Sequence, residues 1–403
     1  MNRTIRVILV FLAGLILTAG IAAAIDVYIA SPDSKRTLVF SDKAMLMQLY
    51  DSYKHSFVQT SSGRTIDTSQ PGQITTSEGE SYTMFRALME NDQTTFNKSL
   101  NFTLNNMQRP DHLFAWKYGE ISKNNYGILT KQGGNNTASD GDTLIAMDLI
   151  MAYERWNQTK YLDDAKPIVT SIWNDEVVNA GGRPIMTADN LERFSTTNLV
   201  VDPSYFIIPA YRLFAKIDPA DNWTSLINST YYWITDMSSS NLGSSSSDGL
   251  PPDFVFVNRQ TGALSPDTNP SQDTNYGFDA LRVPFWLGLD YRWYRDPRDK
   301  EVLSEFGFLE KQWNTNKLLY AIYNHNGTPN VYYQSDAMYG GSMGYFTVIN
   351  PAAAHAIYMN KLVKLYNPNS QSWKGHVNYY DDNWAWFGMA FYDHLLPNLT
   401  ANG

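Results

Sequence analysis

Two kinds of helical segment alternate along this chain, and the alternation restricts the folds that it can adopt. Residues 144–147 and 149–152 are apolar on nearly every side of a helix, whereas residues 92–107 combine one apolar stripe with a polar face. A helix that is apolar all round is buried on most sides, and a striped helix covers a core from outside. The segments predicted as helices are 43–53, 82–90, 92–107, 142–156, 161–177, 203–216, 223–237, 278–294, 301–313, 352–365 and 384–395.

Inner helices that alternate with outer helices predict an all-α fold, and about a dozen of them favour an (α/α)6 barrel. A helical solenoid is the alternative, but the sequence has no repeat of about 34 residues. Strand-like pieces occur only at residues 254–257 and 331–333. The serine-rich stretch 238–249 is interpreted as an inserted surface loop, because helices of the same kind lie on either side of it.

The N-terminus predicts export. Arg3 and Arg6 precede an uncharged stretch at residues 7–25, which is long enough to span a bilayer and ends in small residues. Residues 1–31 are therefore either a cleaved signal peptide or an N-terminal membrane anchor, and residues 32–403 are predicted to form a single domain. We expect the protein to be extracellular or at the cell surface, and anchored if residues 7–25 are not cleaved.

Composition excludes several functional classes. The net charge is −9 and there is no basic run, which argues against a nucleic-acid partner. The chain has no cysteine, so a thiol nucleophile, a thiolate metal site and a disulfide scaffold are excluded. Its six histidines show no zinc-binding spacing, and we predict neither a metal nor another cofactor. A charged content of 18% fits either work in acid or simply a neutral surface.

Three acidic motifs, at residues 76–82, 138–142 and 276–282, place a carboxylate beside glycine at a predicted helix start. Such residues are most often helix N-caps. Glu78 stands near Tyr82 and Phe85, surroundings that raise a carboxyl pKa and favour a general acid. Asp279 has Arg282 three residues later, and that positive charge favours an ionised general base. The pair would suit acid–base cleavage of a glycosidic bond. Sequence alone does not show that they meet.

A second glutamate, Glu80, lies within one helical turn of Glu78. It would raise the pKa of Glu78 further if the two carboxyls met. We expect it instead to be solvated and without a role in the chemistry.

Six stretches in order resemble glycoside hydrolase family 8, which includes the endoglucanases of bacterial cellulose synthesis. They are 77–82 with 91–96, 113–117, 138–142, 152–156, 202–206 and 276–282. The resemblance implies an (α/α)6 barrel with an open cleft across one end, and an inverting mechanism on β-1,4-linked glycans.

The resemblance also assigns roles to individual residues. Glu78 is the general acid and Asp279 the general base, while Asp140 binds and distorts the sugar. Arg282 holds Asp279 and contacts substrate. The remaining substrate-binding residues are Trp116 and Tyr205, as platforms that stack on sugar rings, and Tyr380, near the attacking water.

The leading interpretation is an inverting endo-β-1,4-glycanase that acts on cellulose or β-glucan. Asp at position 279 favours the cellulase and xylanase branch over the chitosan-cleaving one. A xylanase, a non-catalytic glycan-binding surface protein and a lyase of similar fold stay open as alternatives. The expected partner is a β-linked polysaccharide, with membrane contact only through the N-terminal segment, and the protein is expected to be a monomer.

Overall fold

The computed structural model describes residues 42–242, 246–267, 273–375 and 377–400. The predicted signal peptide or anchor lies outside these residues. Within them, no helix combines the length and the apolar character that crossing a bilayer requires. The α-helices of the described ranges are α1 Asp42–Phe57, α2 Ser77–Met89, α3 Gln93–Asn106, α4 Ser139–Trp156, α5 Thr159–Asp175, α6 Ile208–Ile217, α7 Trp223–Ser239, α8 Arg282–Tyr294, α9 Pro297–Glu305, α10 Gly307–Asn316, α11 Asp336–Ile349, α12 Pro351–Ile357 and α13 Tyr379–Tyr392.

Six of these helices form a closed inner ring. In order around the ring, α2, α4, α6, α8, α11 and α13 each contact the next. The ring closes between α13 and α2, where the rings of Tyr82 and Phe387 lie 5.2 Å apart and Arg86 Nη1 lies 2.8 Å from Asp382 Oδ1. The outer helices α3, α5, α7, α12 and α1 each pack against one inner helix, and α9 packs against two, α8 and α11. The predicted (α/α)6 barrel is therefore confirmed.

The apolar patterns explain which helices lie inside. Every residue of α4 from Ser139 to Ala152 is buried, as expected for a helix that other helices surround. In the outer helix α5 only one face is buried, formed by Tyr161, Ala165, Ile168, Val169 and Ile172. The alternation that was read from the sequence thus corresponds to the two layers of the barrel.

The inner helix α11 was not predicted, because its sequence contains three glycines, each of which costs about 1 kcal/mol in a helix relative to alanine. The packing explains these glycines. A methyl group at Gly340 would overlap the carbonyl oxygen of Trp384 in α13, and one at Gly344 would overlap that of Pro284 in α8. The glycines let three inner helices approach with their backbones in contact, and this packing offsets the weak helix propensity.

Several predicted boundaries were wrong. The predicted helix 301–313 is two helices, α9 and α10, and the predicted helix 203–216 consists of a 3-10 turn, Pro203–Tyr205, followed by α6. Helix α12 passes into one π turn, Tyr358–Leu362, and a 3-10 turn, Val363–Leu365. The serine-rich loop lies partly outside the described residues.

Short antiparallel strands connect to the helices of the barrel. Most of them were not predicted from the sequence, because they are brief and largely polar. The predicted strand at 254–257 is present, whereas 331–333 is not a strand. The strands are β1 Thr75–Thr76, β2 Lys117–Ser122, β3 Asn125–Ile128, β4 Val177–Ala180, β5 Arg183–Met186, β6 Asn198–Val201, β7 Val255–Asn258, β8 Leu264–Ser265, β9 Tyr366–Asn367 and β10 Ser372–Trp373. They form the sheets β1-β2-β3, β4-β5, β6-β7-β8 and β9-β10. Because β1 runs directly into α2, the first of these sheets positions the start of an inner helix.

The packing of α11 predicts that Gly340→Ala destabilises the fold. We expect the free energy of unfolding to fall by about 3 kcal/mol, because the new methyl group meets fixed backbone. Gly307→Ala in α10 is the control, since nothing lies near its Cβ position. That change should be neutral or stabilising by up to about 1 kcal/mol. Urea denaturation of both variants measures the difference, and equal midpoints would contradict this account of α11.

Candidate active site

Carboxylates gather where several inner helices begin. Glu78 lies in the first turn of α2 and Asp140 in the first turn of α4. Asp279 lies in the turn that leads into α8, whose first residue is Arg282. Glu78, Asp140 and the neighbouring pair Asp279 and Arg282 are far apart in sequence, and the barrel brings them to one end.

Arg282 joins the carboxylates into one cluster. Its Nη1 donates to Glu78 Oε2 at 2.7 Å and to Asp140 Oδ2 at 3.0 Å. Its Nη2 donates to Asp279 Oδ1 and, at 3.4 Å, to Asp202 Oδ2. The arginine side chain is only 2% exposed. A single buried guanidinium is therefore shared by four acidic side chains.

The shared guanidinium also limits the separation of Glu78 and Asp279. Two carboxylates that bond to opposite nitrogens of one planar fork lie within roughly 8 Å of each other. This upper bound accommodates both the separation of about 6.5–9.5 Å found in inverting glycosidases and the one of about 5–5.5 Å found in retaining ones. Glu78 and Asp279 therefore lie near each other, which the sequence alone did not show.

Glycines allow the acidic helix starts to meet. A Cβ atom at Gly79 would lie 2.7 Å from the Tyr379 hydroxyl of α13. At Gly141 it would overlap the Ser77 side chain and lie 3.0 Å from the Glu78 backbone nitrogen. The glycines beside the acidic residues therefore serve close helix approach, which the motifs alone did not reveal.

The turn that carries Asp279 is held by a residue that sequence reasoning missed. Asp253 Oδ1 accepts hydrogen bonds from the backbone nitrogens of Gly277 at 3.1 Å, Asp279 at 3.0 Å and Ala280 at 2.6 Å. Three backbone bonds to one oxygen fix the turn as a helix cap does. Asp253 precedes β7 and no motif contains it, so nothing in the sequence marked its role.

The second aspartate of the 138–142 motif has a structural role. Asp142 is fully buried, and its Oδ1 accepts from the Phe114 backbone nitrogen at 2.7 Å. Asp202, in contrast, joins the site through Arg282, and it also caps the Pro203–Tyr205 turn by accepting from Ser204 N at 2.7 Å. Of its motif, residues 202–206, only Tyr205 was predicted as a site residue.

Burial dominates the electrostatics of Glu78. It raises the pKa of Glu78 to about 8, with Arg282 acting in the opposite direction and the Asp140 and Asp279 charges adding to the rise. The side chain keeps 20% of its surface exposed, so it stays accessible to a ligand. A carboxyl group with this pKa is protonated at neutral and acidic pH, as a general acid requires.

The predicted role of Arg282 in distinguishing Asp279 from Glu78 was wrong. Arg282 was expected to set Asp279 apart from Glu78, but it contacts both. Burial raises the pKa of Asp279, and Arg282 opposes that rise. Asp279 is also the more exposed of the two, with 35% of its side-chain surface accessible. The two carboxyls therefore differ in their exposure to solvent, whereas both contact Arg282.

The predicted aromatic residues lie around this cluster. The Tyr205 ring lies 5.3 Å from the guanidinium carbon of Arg282. Trp116 is half-buried beside the start of α2, where its carbonyl oxygen accepts from Ser77 N at 3.1 Å. The Tyr380 hydroxyl donates to the carbonyl oxygen of Phe278, directly before Asp279.

A cleft of about 480 Å³ opens beside Glu78. It has carboxylate, amide and hydroxyl groups together with aromatic rings in its walls, which is typical of a site for a polar ligand with flat faces. Its lining residues are Asp67, Ser69, Gln70, Thr76, Glu78, Phe278, Asn378, Tyr379, Tyr380 and Asp381. Tyr379 and Asp381 were not selected from the sequence.

The expectation for Glu80 was wrong. The side chain is fully buried and points away from Glu78, toward Thr65 and Ser99. Its carboxyl oxygens accept from Thr65 N at 2.7 Å and from the Ser99 hydroxyl. Burial raises its pKa to about 8. Partners that lie 15 and 19 residues away were not visible as a local pattern.

Known proteins resemble this chain over most of its length. The model of the family described as Glycosyl hydrolases family 8 matches residues 34–394. A Salmonella typhi endoglucanase is 28% identical over 275 residues, which cover 67% of this chain and 69% of the relative. An endoglucanase of Xanthomonas axonopodis pv. citri is 30% identical over 56% of each chain. The chain thus spans only about half to two thirds of the length of these relatives.

Solved structures show the same fold. The endo-1,4-D-glucanase of Vibrio fischeri ES114 superposes with a TM-score of 0.72 at 23% identity. The alignment covers 86% of this chain and 94% of that one.

The position of Arg282 predicts a pH-dependent loss of stability in Arg282→Met. At pH 7 the four carboxyl groups lose their cation, and we expect a loss of about 3–5 kcal/mol. Without the arginine, their folded-state pKa values rise further above the unfolded value of about 4. Stability is therefore retained below pH 4 and lost as pH rises. Urea denaturation at pH 4 and pH 7 measures this, with Lys300→Met, at an exposed position of α9, as the control.

Burial of Glu80 predicts a second pH effect. Because its folded-state pKa is about 8 and its unfolded pKa about 4.3, its protonation stabilises the fold fully below pH 4. That stability is lost as pH rises to 8, by up to about 1.4 kcal/mol per pH unit. Glu80→Gln should flatten this slope in chemical denaturation between pH 4 and pH 8. Glu301→Gln, at an exposed position of α9, should leave the slope unchanged; equal slopes in all three proteins would contradict the argument.

Proposed function

The chain belongs to glycosyl hydrolases family 8 and is an enzyme of that class, and on that premise we propose that it is an inverting endo-β-1,4-glycanase acting on cellulose or β-glucan. The observation that carries the proposal is the shared contact of Arg282 with Glu78, Asp140 and Asp279. The relatives that it resembles are endoglucanases, and this supports the choice of substrate.

Glu78 acts as the general acid. It gives its proton to the glycosidic oxygen as the bond from that oxygen to the anomeric carbon breaks, so the leaving sugar departs as a neutral alcohol. Its raised pKa supports this role, because the group still holds a proton near neutral pH. The first turn of α2 holds its backbone rigidly, with Gly79 N bonded to Thr76 Oγ1 at 3.0 Å.

Asp279 acts as the general base. It takes a proton from a water molecule whose oxygen attacks the anomeric carbon from the face opposite the leaving group, and the configuration inverts. Its 35% exposure supports access of that water. Arg282 favours the ionised form that a base needs, and Asp253 fixes the turn on which the carboxylate sits.

The substrate lies along the open end of the barrel. Asp140, bonded to Arg282 and to Gly141 N at 2.7 Å, is positioned to bind a sugar hydroxyl at the cleavage point. Trp116 and Tyr205 supply aromatic faces for sugar rings, and Tyr380 lines the cleft beside Glu78. A neutral polysaccharide suits these walls, because hydroxyl and amide groups bond sugars without needing a charge on the ligand.

The N-terminal sequence supports export as part of the proposal. A β-glucan outside the cell is reached only by an exported enzyme, and the apolar stretch at residues 7–25 supplies either a signal peptide or an anchor. Protease accessibility of the protein on intact cells would test this placement.

Replacement of the two carboxyls tests the function. Glu78→Gln and Asp279→Asn should each lower kcat by at least about a thousandfold, equivalent to roughly 4 kcal/mol of transition-state stabilisation. The assay is reducing-sugar release from carboxymethyl cellulose, mixed-linkage β-glucan, xylan and chitosan between pH 3 and pH 7. Nuclear magnetic resonance of the first product reports whether the anomeric configuration inverts.

A matched control separates chemistry from folding. Glu301→Gln removes an exposed carboxylate of α9 and should leave activity unchanged. Activity on xylan alone would move the assignment to a xylanase. A folded protein without activity on any of the four polymers would reject the hydrolase proposal in favour of a glycan-binding protein.

A further inference from the structure

Two consecutive tyrosines stand out from the surface at residues 332 and 333. Tyr332 is 78% exposed, the largest fraction among the exposed large hydrophobic side chains in the described part of the chain, and Tyr333 is 54% exposed. Neither belongs to a motif that the function above uses. Two adjacent exposed aromatic rings form an apolar patch, and such a patch can mark a binding site for a ligand or a partner.

The neighbouring structure holds these tyrosines in place. The Tyr320 ring meets the Tyr332 ring edge-on, with centroids 5.5 Å apart and an interplanar angle of 72°. Ala321 N donates to Tyr333 O at 2.9 Å, and Asn330 N donates to Ile322 O at 3.0 Å. The segment therefore folds back on itself and presents its rings from a hydrogen-bonded backbone.

The stretch 318–335, which contains these tyrosines, is bonded to the active site on both sides of them. Tyr323 and Tyr276 exchange backbone hydrogen bonds of 2.8 and 3.0 Å, three residues before Asp279. At the other end, the Ser335 hydroxyl donates at 2.6 Å to Asp381, which lines the cleft beside Glu78. The exposed tyrosines thus belong to a loop that is bonded, before and after them, to residues of the catalytic end.

The chemistry of the segment favours a neutral, polyhydroxylated ligand. From residue 318 to residue 335 the sequence contains no Asp, Glu, Lys or Arg, and its polar groups are hydroxyls and amides apart from one histidine. That histidine, His325, is 2% exposed. A nucleic acid would need cations here. Aromatic faces with nearby hydroxyl and amide groups suit the flat faces and hydroxyls of pyranose rings.

We propose that Tyr320, Tyr332 and Tyr333, here called the tyrosine platform, bind sugar rings of the polysaccharide beyond those that contact the catalytic carboxylates. The proposal rests on the proposed function, since the occupant is the same glycan chain extended along the cleft. The loop that carries the platform is bonded through Tyr323 to Tyr276, three residues before Asp279. It would hold long chains more tightly than short ones and so favour attack within a polymer.

The test compares kinetics on a polymer with binding to it. Tyr332→Ala should raise KM for carboxymethyl cellulose by roughly five- to twentyfold and change kcat less than about twofold, because only binding outside the reacting sugars is lost. Tyr332→Trp should keep a low KM. Tyr232→Ala, at an exposed tyrosine on the outer helix α7, is the matched control and should change nothing. Thermal melting of each variant confirms that it is folded.

Binding is measured without turnover in a Glu78→Gln background. Native gels that contain carboxymethyl cellulose, mixed-linkage β-glucan or xylan should retard Glu78→Gln, and adding Tyr332→Ala should abolish the retardation. If Tyr332→Ala changes neither the KM of the active enzyme nor the gel retardation of Glu78→Gln, the platform is rejected. The proposed function is unaffected by that result. A protein that is retarded through Tyr332 but hydrolyses no polymer keeps the platform and rejects the function. Dissociation of a dimer by Tyr332→Ala, with KM unchanged, overturns the platform in favour of self-association.

Discussion

The buried guanidinium of Arg282 is the interaction on which this structure depends. It bonds carboxylates from the start of α2, the start of α4, the turn before α8 and the 3-10 turn before α6. A buried charge is costly unless it is paired, and removing one partner leaves the others uncompensated. The same contact therefore holds four parts of the barrel together at one end and assembles the groups that the chemistry needs. The remaining acidic and aromatic residues of the site are arranged around it.

Glycines determine how closely the helices around that centre approach. Gly79 and Gly141 let the first turns of α2 and α4 meet their neighbours, and Gly340 and Gly344 do the same along α11. Gly288 of α8 is part of the same packing, because a Cβ there would lie 2.7 Å from the Gly344 Cα. Each glycine weakens its own helix, and the loss is offset only where another backbone comes close. The barrel thus depends on small residues at its contacts as well as on its large apolar core.

The parts of this protein that could be predicted are those with a local signal. The two layers of helices followed from apolar periodicity, and Glu78, Asp140 and Asp279 from motifs at helix starts. Helix α11 was missed because its glycines weaken helix propensity locally and are explained only by contacts with α8 and α13. Burial of Glu80 depends on Thr65 and Ser99, and the role of Asp253 on a turn more than twenty residues later. Long-range partners of this kind leave no pattern in a single sequence.

The charge balance of the site distinguishes an enzyme from a binding surface. Four carboxyl groups surround one cation, so complete ionisation would leave a buried excess of negative charge that desolvation makes unfavourable. Burial and mutual repulsion accordingly raise the pKa of Glu78, Asp140, Asp202 and Asp279. Glu78, whose pKa is raised to about 8, therefore holds a proton near neutral pH. A surface that only binds neutral sugars does not need a carboxyl group that stays protonated near neutral pH, whereas acid–base cleavage does.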